Sequence, residues 1–166
     1  IGTGTSLDSA RLCSRIARTL HLAPSDIHGC CIGEHGDSQT ILWSQTRAGN
    51  VPVEKLLTQE EKMQIEKDTI RAGCEIALHK GSTEFGIGMA ACQIIQAILR
   101  DEHRIIPCSI DPKGAYGQSG LFTSIPCIIS REGARPMKKM ELSESEKDRF
   151  IKSCEMLKTM IRKQLK

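Results

Sequence analysis

A chain of 166 residues with 39% apolar and 26% charged side chains and no low-complexity run excludes the disordered and fibrous classes. A folded domain of that length buries roughly 70% of its unfolded surface, so one domain over residues 1–166 is expected. The net charge is only +3, and its basic excess lies in residues 131–166, with 11 Lys and Arg against 6 Asp and Glu and one aromatic, Phe150; this reads as a solvated helix face, with no nucleic acid and no membrane as partner.

In chain order, Ser6 or Asp8 opens a helix whose apolar positions Leu12, Ile16 and Leu20 recur every four residues, and Pro24 ends it. His28 to His35 reads as a strand running into a Gly-flanked polar cluster, and Thr40 to Trp43 as the next strand. Thr58 and Glu61 have capping-box spacing, so a helix with Met63, Ile65, Ile70, Cys74 and Ala77 follows and stops near Gly81. Thr83 opens a second apolar helix through Ile87, Ala91, Ile94, Ile95 and Ile98, so two consecutive helices, or one bent helix, are expected. Three antiparallel strands are expected at 105–110, 121–129 and 137–142. A second capping box, Ser143 to Glu146, starts a terminal helix with the apolar stripe Phe150, Cys154, Leu157, Ile161 and Leu165. The fold class is α+β: antiparallel sheets bracketed by long helices.

Eight cysteines include no C-x-x-C pair; Cys30 and Cys31 are adjacent, and Cys74, Cys92, Cys108, Cys127 and Cys154 stand singly in apolar patterns. Reduced, buried thiols in a cytoplasmic protein are expected, and no metal site. No apolar run approaches the 18 or so residues of a membrane span. The chain starts at Ile1, directly in a Gly/Thr-rich stretch, and a trimmed or fragmentary chain is expected.

Three polar signatures carry chemistry. Leu7-Asp8-Ser9-Ala10-Arg11 places Asp8 and Arg11 at i, i+3 on one helix face, ordinarily a surface ion pair worth at most about 1 kcal/mol. Gly33-Glu34-His35-Gly36-Asp37-Ser38 holds an imidazole between glycines, where backbone and ligand can approach closely and a near-neutral pKa can be used; alone, it is ordinarily a loop histidine. Lys80-Gly81-Ser82-Thr83 offers a hydroxyl and helix-terminal backbone donors, ordinarily just a cap.

Together and in this order, with W-S, P-C-S-I and F-T-S-I-P-C-I-I, these segments resemble the substrate domain of the L-lactate/malate dehydrogenase superfamily, the L-lactate branch most closely, over essentially the whole chain. The resemblance implies the C-terminal catalytic domain of an NAD-dependent L-lactate dehydrogenase interconverting pyruvate and L-lactate. It implies His35 as general acid/base, Asp8 as the carboxylate that orients it, and Arg11 as anchor of the substrate carboxylate. A protonated histidine suits proton delivery to a carbonyl oxygen, and a guanidinium fork matches a carboxylate. Thr83 would line the substrate pocket, Ile87 and Thr83 would meet the nicotinamide, and Gly73 would stand at the pocket wall, leaving room for a substrate larger than pyruvate.

Members activated by fructose 1,6-bisphosphate pair a histidine, here His28, with an arginine where this chain has Cys13, so that activation is not expected. Gly2 and Gly4 begin a G-x-G-x-x-G pattern that Leu7 breaks, so the dinucleotide-binding half and the specificity loop are expected to lie outside these residues. The alternatives are an L-malate or branched-chain L-2-hydroxy-acid dehydrogenase and, from another class, a non-catalytic oligomerisation module. The resemblance also implies a homodimer or homotetramer.

Overall fold

A computed structural model describes residues 1–138 and 140–164. Helix α1, Ser6–Leu20, starts behind Thr5, which bonds no helix amide through its side chain, so Ser6 and Asp8 lie within the first turn rather than capping it. The helix ends before Pro24: His21 takes a left-handed conformation (φ 56°), and its amide and that of Leu22 return to the last turn. Pro24 instead opens a short 3-10 turn.

The expected strand from His28 to His35 is split. β1 (Ile27–His28) and β2 (Cys31–Ile32) join different sheets, and β3 is only Thr40–Ile41, followed by a 3-10 turn at Trp43–Gln45. β4 (Arg47–Ala48) lies between β1 and β5 (Val51–Pro52), all antiparallel. Gly29 is the break: a Cβ there would lie 2.7 Å from the side chain of Thr46.

α2, Gln59–Lys80, begins with the expected capping box at Thr58 and Glu61 and ends at Gly81 (φ 87°). α3, Glu84–Leu99, follows after the Thr83 N-cap, so the two helices are distinct. β6 (Arg104–Ile110), β7 (Thr123–Ser130) and β8 (Gly133–Pro136) form one antiparallel sheet. The third strand therefore comes earlier than expected: Ser130 to Gly133 turns tightly, and residues 137–142 hold no strand among those described. α4, Glu144–Gln164, starts on the second capping box, in which the amides of Ser143 and Glu146 each donate to the other's side chain. Phe150 and Cys154 are buried as expected, Ile161 is exposed, and Leu165 lies outside the described residues.

Two apolar clusters result. One packs β6, β7, α3 and α4 through Ile94, Cys108, Ile125, Ile129 and Phe150. The other packs α1 against β1 to β4 and α2 through Leu12, Ile16, Ile41, Val53 and Ile65. All eight cysteines are free. Cys31, Cys108, Cys127 and Cys154 are buried, whereas Cys74 and Cys92 are exposed, because the apolar patterns of α2 and α3 extend onto outward faces. No described helix is long and apolar enough to cross a membrane.

Candidate functional site

The first turn of α1 and the loop after β2 meet at one carboxylate. Oδ2 of Asp8 lies 2.5 Å from Nδ1 of His35, and its Oδ1 lies 3.3 Å from Nη1 of Arg11. The Asp8 side chain is 3% exposed, so the charge is spent on these two partners rather than on water. The His35 ring is 62% exposed. With Nδ1 donating to Asp8, Nε2 is the nitrogen left to exchange a proton with a ligand. The hydrogen bond to Asp8 raises the pKa of His35 above its ordinary 6.5; burial lowers it by less, and the Asp8 charge adds to the increase.

Both segments hang on a shared frame. The Thr5 amide donates to Ser124 Oγ (3.0 Å) and the Thr5 hydroxyl to the Cys31 carbonyl (2.5 Å). Ser9 completes the loop, donating to the Thr5 carbonyl (2.7 Å) and accepting from the Cys31 amide (2.9 Å). Asp8 and the strand leading to His35 are thereby fixed to one β7 residue. Gly33 pairs with Ser124 through both backbone bonds, 2.8 and 3.1 Å. At φ 92°, with a Cβ position only 2.5 Å from Ser153 Oγ, this site admits only glycine without strain. The Glu34 amide donates to Ser153 Oγ (2.8 Å), and its carboxylate accepts the Ser38 hydroxyl and amide, closing the loop around His35.

Gly73 of α2 faces Arg11: a Cβ there would stand 3.7 Å from Nη1, in ordinary contact, with nothing else within 4 Å. A groove of about 800 Å³ continues from Arg11 between α1 and α2, past Arg15, Asp68, Ala72 and Ile76. Thr83 and Ile87 stand at the start of α3, where Gly86 packs on Leu7, the neighbour of Asp8. The Thr83 side chain makes no capping bond and Ile87 is 39% exposed. Neither hydrogen-bonds to the Asp8, Arg11 and His35 group among the described residues. The structure therefore brings Asp8, Arg11, His35 and Gly73 together and sets Thr83 and Ile87 on the adjoining helix turn.

Sequence reasoning missed Thr5, Ser9, Ser124 and Ser153. Their partners lie up to 119 residues away, and no local pattern marks them. Glu34 and Ser38, four apart in the polar cluster, carried a usable signal. Cys13 and His28 do share a pocket, with Gly29, Cys30, Gln45 and Arg104, and the Cys13 thiol donates to the Gly29 carbonyl at 3.5 Å.

A family profile described as lactate/malate dehydrogenase, alpha/beta C-terminal domain, matches residues 5–166. Among curated relatives, "L-lactate dehydrogenase 3" of Bacillus thuringiensis subsp. konkukian is 40% identical over 165 residues, covering 95% of this chain and 52% of the relative. "L-lactate dehydrogenase 2" of Lactococcus lactis subsp. lactis is 37% identical over 97% of this chain and 53% of its own length. The chain thus spans about half the length of these relatives. Among solved structures, the minor L-lactate dehydrogenase of Enterococcus mundtii superposes with TM-score 0.95 at 33% identity, over 98% of this chain and 54% of that one. The malate dehydrogenase of Plasmodium falciparum gives 0.89 at 29% identity, over 95% and 52%.

Proposed function

Since the chain belongs to the lactate/malate dehydrogenase C-terminal domain family, we propose that residues 1–166 are the substrate and acid/base domain of an NAD-dependent L-lactate dehydrogenase interconverting pyruvate and L-lactate. One observation carries the reading: a buried carboxylate shared between an exposed imidazole and an arginine, with Asp8 Oδ2 on His35 and Oδ1 on Arg11. Bound NAD supplies the hydride acceptor or donor.

Arg11 binds the substrate carboxylate with the donors that Asp8 leaves free, which fixes the 2-oxo carbon and its oxygen relative to His35. His35 delivers a proton from Nε2 to the carbonyl oxygen, and Asp8 stabilises the imidazolium before transfer. In the reverse direction Nε2 takes the hydroxyl proton. The exposed aliphatic side chain of Ile87 and the Thr83 hydroxyl, which makes no capping bond, one helix turn apart, suit a flat nicotinamide ring and exclude water from its face. The remainder of the dinucleotide falls to a separate nucleotide-binding half.

A second reading, a longer, branched or dicarboxylic 2-oxo acid, is favoured by the space at Gly73, where nothing but the Arg11 guanidinium stands within 4 Å of a Cβ. The intact Asp8, His35 and Arg11 geometry speaks against a purely structural oligomerisation module. We place the protein in the cytoplasm, supported by eight free cysteines, and assign it a homodimeric or homotetrameric assembly.

The test supplies the chain with a nucleotide-binding half, NADH and pyruvate. His35→Asn is expected to lower turnover at least about a hundredfold, the range for loss of a general acid, while substrate binding suffers less. Near wild-type turnover in that variant removes His35 from its role.

A further inference from the structure

A depression of about 800 Å³ opens against the β6–β8 sheet, lined by none of the residues placed in the acid/base site. Its uncharged lining is mainly aliphatic, with Ile110 of β6, Ile128 of β7, Ala134 and Pro136 of β8, and Met137. Phe122, 64% exposed, forms one wall. Lys113, Arg135 and Lys138 stand on its rim, and none has a carboxylate partner within 4.0 Å among the described residues. The one acidic lining residue, Asp111, is occupied at home, its Oδ1 accepting the Lys113 amide at 3.0 Å. That turn places Lys113 in a left-handed conformation (φ 50°). The Tyr116 hydroxyl donates to the Met137 carbonyl, tying the loop that carries Lys113 to the residue that follows β8 and its Arg135.

We propose that this depression binds an acyl carboxylate, with its chain along the apolar lining residues and its head group on the Lys113, Arg135 and Lys138 rim. Three observations converge on that class. The volume falls within the roughly 300–1,000 Å³ of small-molecule pockets rather than of a protein interface. Apart from Asp111 and the three cations, its lining residues are apolar, with no uncharged polar side chain to recognise a base or a sugar. The rim is an excess of unpaired cations, which selects an anionic head.

Isothermal titration of the purified chain with decanoate, decanol and acetate tests the assignment. Decanoate is expected to saturate one site per chain, with decanol and acetate each at least tenfold weaker and decanoate affinity falling as salt rises. Lys113→Glu combined with Arg135→Glu is expected to weaken decanoate at least tenfold. These side chains are exposed, so the fold should persist, and Phe122→Ser gives an independent loss from the apolar side. Arg11→Lys leaves decanoate binding intact, which separates this site from the 2-oxo acid anchor. Decanol binding as tightly as decanoate, decanoate binding untouched by the double substitution, or loss of binding in Arg11→Lys each overturns the proposal.

Discussion

Asp8 serves two partners with one carboxylate, and each oxygen is committed before any substrate arrives. The histidine bond is the shorter and charge-assisted, so it is this contact that favours the acid form of His35. Because the folded-state pKa of His35 is raised, the stabilisation it brings is complete below 6.5 and is lost as pH rises through the higher folded value. NMR titration of the His35 ring resonances is expected to give a midpoint above 6.5, and Asp8→Asn is expected to move it below the wild-type midpoint, since burial of the ring still opposes the charge. An unchanged midpoint in the variant would mean that Asp8 does not govern the proton on His35.

At the scale of elements, α4 is fastened to the rest of the molecule through its own cap. Glu146, 5% exposed, accepts from the Ser44 amide (2.9 Å), the Ser44 hydroxyl (2.6 Å) and the Ser143 amide (2.8 Å). Burial pushes its pKa up, but the Ser44 and Ser143 hydrogen bonds outweigh that and hold it below the ordinary 4.5. That stabilisation is present above 4.5 and is lost as pH falls through the lowered folded value. Glu146→Ala should cost roughly 2–3 kcal/mol in urea unfolding, whereas Ser143→Ala should cost about 1, because the former also removes both Ser44 bonds and leaves the part-buried Ser44 amide without its partner. Equal costs would show that the bridge to Ser44 contributes nothing. The helix starts at Thr58 and Ser143 were legible because a capping box is local chemistry, four residues long. The β1 to β5 region was legible only in outline: Gly29 interrupts an apolar run whose break depends on Thr46, seventeen residues on. Of the site, Asp8, Arg11 and His35 could be found by motif, but their frame of Thr5, Ser9, Ser124 and Ser153 is ordinary serine and threonine, given meaning only by the folded topology.

For the whole molecule, α3 poses the question of what covers its outer side. Its inner face is buried at Ala90, Ile94 and Ala97, and the latter two pack in the sheet core. The opposite face repeats at the same helical spacing with Phe85 (79% exposed), Met89, Cys92 and Leu99 (74% exposed), flanked by Ile95. A helix apolar on both sides is one built to be buried on both sides, and a contiguous apolar stripe of this kind marks a contact surface rather than a solvated one. For the oligomer proposed above, this stripe is the expected contact between copies. Each large apolar side chain withdrawn from water contributes roughly 1.5–3 kcal/mol, so losing even one such contribution per copy moves Kd by at least about tenfold. Met89→Glu together with Leu99→Glu removes two per copy and sets like charges against each other across a two-fold contact. Both positions are exposed on a helix, so the fold and its far-UV circular dichroism should be unchanged. Sedimentation velocity is expected to show the unsubstituted chain associating as its concentration rises and the double variant remaining monomeric over the same range. If the variant associates as strongly as the unsubstituted chain, the α3 stripe is not the contact between copies.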